Sequence, residues 1–271
     1  CSSDLATRQA LARARAARDR PALDALRATL LGRADEELGA LADLLVSYRA
    51  IEAWDAMVEL HEALPPVLRR TRMLREQHGF ALNRLGRRDE ALAVLEGVIA
   101  ELGPSSETSS LVGRVHKDRW LDAQREGDEL AARECLRQAI ASYRAGFQAD
   151  PRDPFPGINA LTLLELEGDP EGLRQQARLL PVVRYAVERR LAAKVAVDYW
   201  DHATLLELAV LARDEQAAAL HLRDALALVR EPWEPKTTAG NLRMIRDARE
   251  AAGTPTAWID VIVAALEQRG A

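Results

Sequence analysis

The chain has 271 residues, a net charge of −5 and a pI near 5.7. Apolar residues make up 48% but aromatics only 4%, so a sizeable core must be aliphatic, which favours packed helices over a sheet sandwich. The mildly acidic balance argues against nucleic acid as a general partner, and no run approaches the ~18 consecutive apolar residues of a membrane span. Cys1 and Cys135 are too few for a disulfide framework or a cysteine metal site, which fits a reducing compartment and a cytoplasmic chain. Lysine occurs only as Lys117, Lys194 and Lys236; arginine supplies the remaining positive charge, interleaved with Glu and Asp as on solvated helix faces.

The opening "CSSDL" matches a translated sequencing-adapter tail, so residues 1–5 are expected to be an artefactual or disordered start, with no function for Cys1. The basic run "LARARAARDR" reads as an exposed helix face, and "PALDALRATLLG" as a helix with Pro in its first turn. "DEELGALADLLVSYRAIEAWDAMVELHEAL" has the periodicity of one degenerate helix pair.

In "HGFALNRLGRRDEALAVLEGVIAELGP", Gly79, Leu82, Leu85, Gly86, Ala91, Leu95, Val98 and Pro104 have the spacing of a tetratricopeptide unit. Small residues at Gly79 and Ala91 let two antiparallel helices approach, Leu82, Leu95 and Val98 fill the seam, and Gly86 supplies the turn. A second unit places Ala139, Tyr143, Gly146 and Pro151 at similar spacing, with a helix A that starts near Gly113 and is extended or carries an insertion. "PRDPFP" then reads as punctuation, "GINALTLLELEGD" as the next helix A, with Asp153 as cap, Pro156 in the first turn and a stop at Gly168. Asn159 either ties neighbouring helices together or faces solvent.

"DPEGLRQQARLLPVVRYAVERRLAA" reads as helix B with a kink or break at Pro181. "YWDHATLLELAVLARDEQAAALHLRDALALV" is a further pair with its turn near "ARDE" and Ala217 at the crossing, and two terminal helices follow. With no strand-like alternation, the expected fold is all-α: a tetratricopeptide-like α-solenoid of antiparallel helix pairs, with N-terminal repeats over residues 6–104 continuous with further repeats over residues 105–271.

No constellation for catalysis, a cofactor or a metal emerges. The histidines at 61, 78, 116, 202 and 221 form no HExxH and no i,i+4 pair, and there is no GxSxG elbow or phosphate loop. Pairs such as Glu36/Glu37 and Asp89/Glu90 are ordinary on solvated helix faces. The densest polar-aromatic clusters are "GRVHKDRW", holding Arg114, His116, Lys117, Arg119 and Trp120, and "VDYWDH", holding Tyr199 and Trp200. Each has a structural reading, a capped helix with buried aromatics, beside a functional one, a recognition surface.

Together "GRVHKDRWLDA", "AIASYRAGFQADPRDPFPGINALTLL", "VDYWDHATLLELAVLARDEQAAALHLRDAL" and "WEPKTTAGNLRMIRDAR" resemble, in order, the helical central region of the apoptosis signal-regulating kinases, the MAP3K TRAFs-binding domain, which also occurs in bacterial proteins. The most specific pieces are "GINALTLL" after Phe155 and the "YWD" of Tyr199 to Asp201. The resemblance implies a non-enzymatic regulatory scaffold of a larger bacterial signalling or defence protein, in which a groove docks a protein or peptide partner or a second copy. The chain holds no kinase motif, and "PSSET" at Pro104 lacks the Gln of a TRAF-binding stretch, so TRAF binding does not carry over. Candidate partner-binding residues are Arg114, His116, Lys117, Arg119, Trp120, Asn159, Tyr199, Trp200, Asn241, Arg243 and Arg246. Two rival expectations remain: a small-molecule or nucleotide sensor reading an anion with Arg114, Arg119, Arg243 and Arg246, and the regulatory part of an enzyme whose catalytic domain lies elsewhere.

Overall fold

The computed structural model describes residues 2–33, 38–193 and 197–270; the readings of Cys1 and of Glu36/Glu37 lie outside these residues. Among the described residues there are fifteen helices and no strand, an all-α, solenoid-like arrangement of antiparallel helix pairs. The chain divides into two compact units, Cys1–Val115 and His116–Ala271.

In the first unit, α1 (Ser2–Ala16) takes in most of the stretch expected to be an irregular start, and Arg13 and Arg15 lie exposed on it. Helix α2 (Arg20–Leu31) begins as its sequence dictates. Asp19 caps it by accepting from the Ala22 amide at 3.0 Å, and proline occupies the first turn. Next come α3 (Leu38–Ala50), α4 (Trp54–Ala63) and the single turn α5 (Pro66–Arg69).

The expected hairpin forms from α6 (Arg72–Arg84) and α7 (Arg88–Leu102). Gly86 turns the chain at φ 78°, and Gly79 is obligatory for a steric reason: a methyl there would lie 2.6 Å from Leu95 Cγ. Ala91, Leu95 and Val98 are fully buried, but Leu85 sits at the helix end and is exposed.

Helix α8 (Ser106–Glu126) starts seven residues ahead of the expected Gly113 and runs unbroken, so of the two readings of the long spacing, extension or insertion, the helix is extended. Asp128 caps α9 (Glu129–Ala149). Helix α10 (Pro154–Glu167) starts right after its cap Asp153, with Pro156 in the first turn as expected, because the first-turn prolines lack amides that would in any case have no intrahelical acceptor. Asp153 accepts from the Phe155 amide at 3.1 Å, and Gly168 closes the helix in the left-handed conformation.

Helix α11 (Pro170–Ala193) runs through Pro181 without a break, losing one ladder bond rather than ending. Next are α12 (Tyr199–Leu211) and α13 (Glu215–Ala227), whose turn at Arg213 has φ 59°. The residue buried at their crossing is Ala218, not Ala217. It stands four past the cap Asp214, as Ala91 stands four past Arg87, and that phase points the small side chain inward. The chain closes with α14 (Trp233–Ala251) and α15 (Ala257–Gly270).

The second unit's core is aliphatic, with Leu161, Val183, Leu206, Leu208, Leu242 and Ile245 at its centre. Through it runs α14, packed against α10, α12 and α15.

Candidate functional site

The "YWD" segment is held by three separate contacts. Asp198 Oδ1 accepts from the Asp201 amide and Asp201 Oδ2 accepts from the Asp198 amide, both at 3.2 Å, a reciprocal cap that fixes the first turn of α12. Arg190 Nε on α11 lies 3.1 Å from Asp201 Oδ1. The Tyr199 hydroxyl donates to Thr238 Oγ1 on α14 at 2.8 Å; the ring is 1% exposed, and burial pushes its phenol up to about 12.

With Tyr199 turned inward, helical geometry aims Trp200 outward. It is 37% exposed and meets Trp233 with ring centroids 5.6 Å apart. Trp233, at the first turn of α14, is 56% exposed. That turn is set by Glu234, whose Oε2 accepts from the amides of Arg230 at 2.8 Å and Glu231 at 3.1 Å. Two tryptophans, one on the reciprocally capped start of α12 and one on a first turn that Glu234 ties to the segment before α14, thus lie side by side at the surface of a chain with few aromatics. Rigid exposed tryptophan is the residue type most enriched at the energetic centres of protein interfaces, since it offers large contact area with little side-chain entropy to lose.

Behind this surface a polar line crosses three helices. Lys117 Nζ on α8 donates to Asn241 Oδ1 on α14 at 3.5 Å, and Asn241 Nδ2 donates to Glu207 Oε1 on α12 at 3.2 Å. Glu207 is buried, and desolvation pushes its carboxyl up to about 7 against the opposing pull of Asn241 and Lys117. Two turns further along α14, Arg249 Nε pairs with Glu165 Oε1 at 2.6 Å. Arg249 also donates to the carbonyls of Val210 and Leu211, closing the C-terminal end of α12. Both carboxylates come from the same pentapeptide, "TLLEL", at 162–166 and 204–208. A lone Glu inside an apolar helical run was the signal that sequence reasoning passed over.

The sequence candidates divide accordingly. Trp200 is at the surface, Tyr199 and Trp120 are core, and Lys117 and Asn241 belong to the polar line. His116 and Arg119 are half-buried on α8; Arg114, on the same helix, is exposed and belongs to the first unit. Burial, with Arg119 beside it, lowers the His116 imidazole from its ordinary value. Asn159 ties no second helix, since its Nδ2 donates to the Phe155 carbonyl one turn back at 2.9 Å. Arg243 pairs with Glu267 at 3.0 Å, and Arg246 with Asp247 and Asp260 at 2.7 and 3.0 Å, so these two guanidiniums are engaged by carboxylates rather than open to an anion. One surface cleft of about 560 Å³ was not foreseen; Tyr185, Val182, Arg152, Arg189 and Arg190 line it.

A model of the MAP3K TRAFs-binding domain matches residues 4–259. Mitogen-activated protein kinase kinase kinase nsy-1 of Caenorhabditis elegans is 32% identical over 219 residues, covering 74% of this chain and 14% of its own length. Mitogen-activated protein kinase kinase kinase 15 of Mus musculus is 29% identical over 246 residues, covering 84% of this chain and 18% of its own length. Mitogen-activated protein kinase kinase kinase 6 of Homo sapiens is 30% identical over 207 residues, 71% of this chain and 15% of that protein. The chain therefore spans less than a fifth of the length of these relatives.

Proposed function

The chain belongs to the MAP3K TRAFs-binding domain family, and from that membership we propose that it is a protein-interaction scaffold controlling the assembly of a larger bacterial signalling or defence protein. Its docking face is centred on Trp200 and Trp233. The observation that supports this reading is the exposed pair itself: both rings stand on first turns of helices, and the buried contacts of Tyr199, Asp201 and Glu234 hold them there. A face so constrained loses little side-chain freedom on binding.

The relatives are named as kinases, whereas this chain is all-helical among its described residues and its sequence holds no kinase motif. The partner is therefore a protein that controls, or is controlled by, whatever the scaffold is joined to.

The experiment is affinity capture from the native host by the wild-type chain and by Trp200→Ser/Trp233→Ser, with circular dichroism to show that both are folded. Capture of a discrete protein by the wild type, weakened at least ~10-fold in the double variant, is expected, since truncating a central anchor costs upwards of about 2 kcal/mol. Equal capture by both would remove the tryptophan face from the account.

A further inference from the structure

Independently of the tryptophan face, we propose that His202, His221 and Asp224 form a binding site for a divalent ion of the zinc type on the α12–α13 hairpin. The three ligand atoms lie within 4.8 Å of one another, with all three residues half-buried. His202 projects from α12, while His221 and Asp224 share one face of α13 at i,i+3. His202 Nδ1 lies 3.9 Å from Asp224 Oδ2. The Nδ1 atoms of both histidines are shielded from solvent and have no hydrogen-bond partner, an unusual state for two neighbouring buried nitrogens.

The surroundings suit a cation. Arg223 donates from Nε and Nη2 to Asp224 Oδ1 at 2.9 and 2.7 Å, which orients the carboxylate and leaves Oδ2 toward His202. The charged groups around the cluster are the carboxylates of Asp214 and Asp224 and the guanidiniums of Arg184 and Arg223.

Tetrahedral zinc with bonds of about 2.0 Å holds its ligands roughly 3.3 Å apart. Closing the widest gap here takes up to about 1.5 Å, shared among three half-buried side chains at the surface of a hairpin. Two imidazoles and one carboxylate leave a fourth position to water. The stacked rings of His61 and His78 in the first unit, with centroids 4.0 Å apart and planes 14° apart, make no such site, because parallel rings point their in-plane lone pairs alongside rather than toward one another.

The test uses the full chain without any affinity tag, with Zn2+ and Co2+ as probes. Thermal midpoint is read against Zn2+, and Co2+ is followed by its visible d–d absorption. The expected result is one ion per chain, a rising midpoint with Zn2+, and a Co2+ spectrum carrying nitrogen ligands. In His202→Gln, His221→Gln and Asp224→Asn, affinity should fall at least ~10-fold. A variant that fails to fold leaves the wild-type stoichiometry and spectrum to decide. The proposal is overturned by an unchanged midpoint at ~1 mM Zn2+, where even a site with a Kd of about 100 μM would respond. It is equally overturned if the full response survives in all three variants.

Discussion

In residues 1–115 arginine works at the surface. Arg20 reaches Asp55 at 2.6 Å, Arg27 reaches Glu59 at 2.7 Å and Arg75 reaches Glu101 at 2.8 Å, each linking two helices across solvent. The half-buried aromatics there are covered in the same way: Arg49 lies over Phe80 at 4.5 Å and Arg84 over Trp54 at 5.2 Å. In residues 116–271 exposed pairs such as Arg243–Glu267 and Arg246–Asp260 persist, but buried ones are added, Arg249–Glu165 and Lys117–Asn241–Glu207, and the two tryptophans stay on the outside. One composition thus yields two different surfaces. The difference lies in the aromatics: the first unit lays arginines over Trp54 and Phe80, whereas the second leaves Trp200 and Trp233 exposed.

The largest expected effect separates the two kinds of arginine. Replacing Arg249 by Ala leaves Glu165 buried without its partner and should cost about 3–5 kcal/mol, while Arg20→Ala in an exposed pair should cost no more than ~1 kcal/mol. Urea unfolding of the two variants compares them directly. Similar losses would erase the distinction between inner and outer ion pairing.

Next come two pH dependences of opposite sign. Burial, together with the neighbouring His61, lowers His78 from 6.5 to about 4. The unfolded chain then takes up the proton first, so stability of the first unit falls as pH drops from about 6.5 toward 4. Glu207 is raised from 4.5 to about 7. Here the unfolded chain releases its proton first, so stability is full below about pH 4.5 and is lost as pH rises through 7. Each is worth on the order of 3 kcal/mol over its window. In the second unit the lowered imidazoles of His116 and His221 oppose the Glu207 trend, so Glu207→Gln is the variant that isolates it. Hydrogen exchange resolved by segment, from pH 4.5 to 8, should show His78→Leu removing the acid loss in the first unit and Glu207→Gln removing the loss at higher pH in the second. Parallel pH profiles in the two units would contradict both assignments.

A smaller effect concerns close approach. A methyl on Gly157 would lie 2.5 Å from Val183 Cγ2 and 3.0 Å from Phe147 Cδ2, so Gly157→Ala should lose about 1–3 kcal/mol despite its better helix propensity. The smallest stability change is expected for Trp200→Ser, within ~1 kcal/mol by thermal unfolding, because the exposed ring adds little to the core. A large loss there would mean that Trp200 serves the fold rather than a partner.

Legibility followed the range of the interaction. Asp153, Gly168, Gly86 and the Gly79–Leu95 contact could be read because caps, turns and helix crossings act over a few residues or one hairpin. The cap at Asp153 and the first-turn proline of α10 are likewise local signals. Glu165 and Arg249 stand 84 residues apart, and His202 meets His221 only across a hairpin, so neither pairing leaves a local pattern. Tyr199 and Trp200 are adjacent in sequence, and which one faces solvent is decided by the phase of a capped helix.

The central claim is that the second unit's tryptophan face contacts a protein. Placing a photo-crosslinking phenylalanine analogue at position 200, with a second chain carrying it at exposed Val67 in the first unit, tests this directly in the native host. A discrete adduct from position 200 and none from position 67 is the predicted result, whether the captured protein is foreign or a second copy. Adducts from position 67 with none from position 200 would contradict the account.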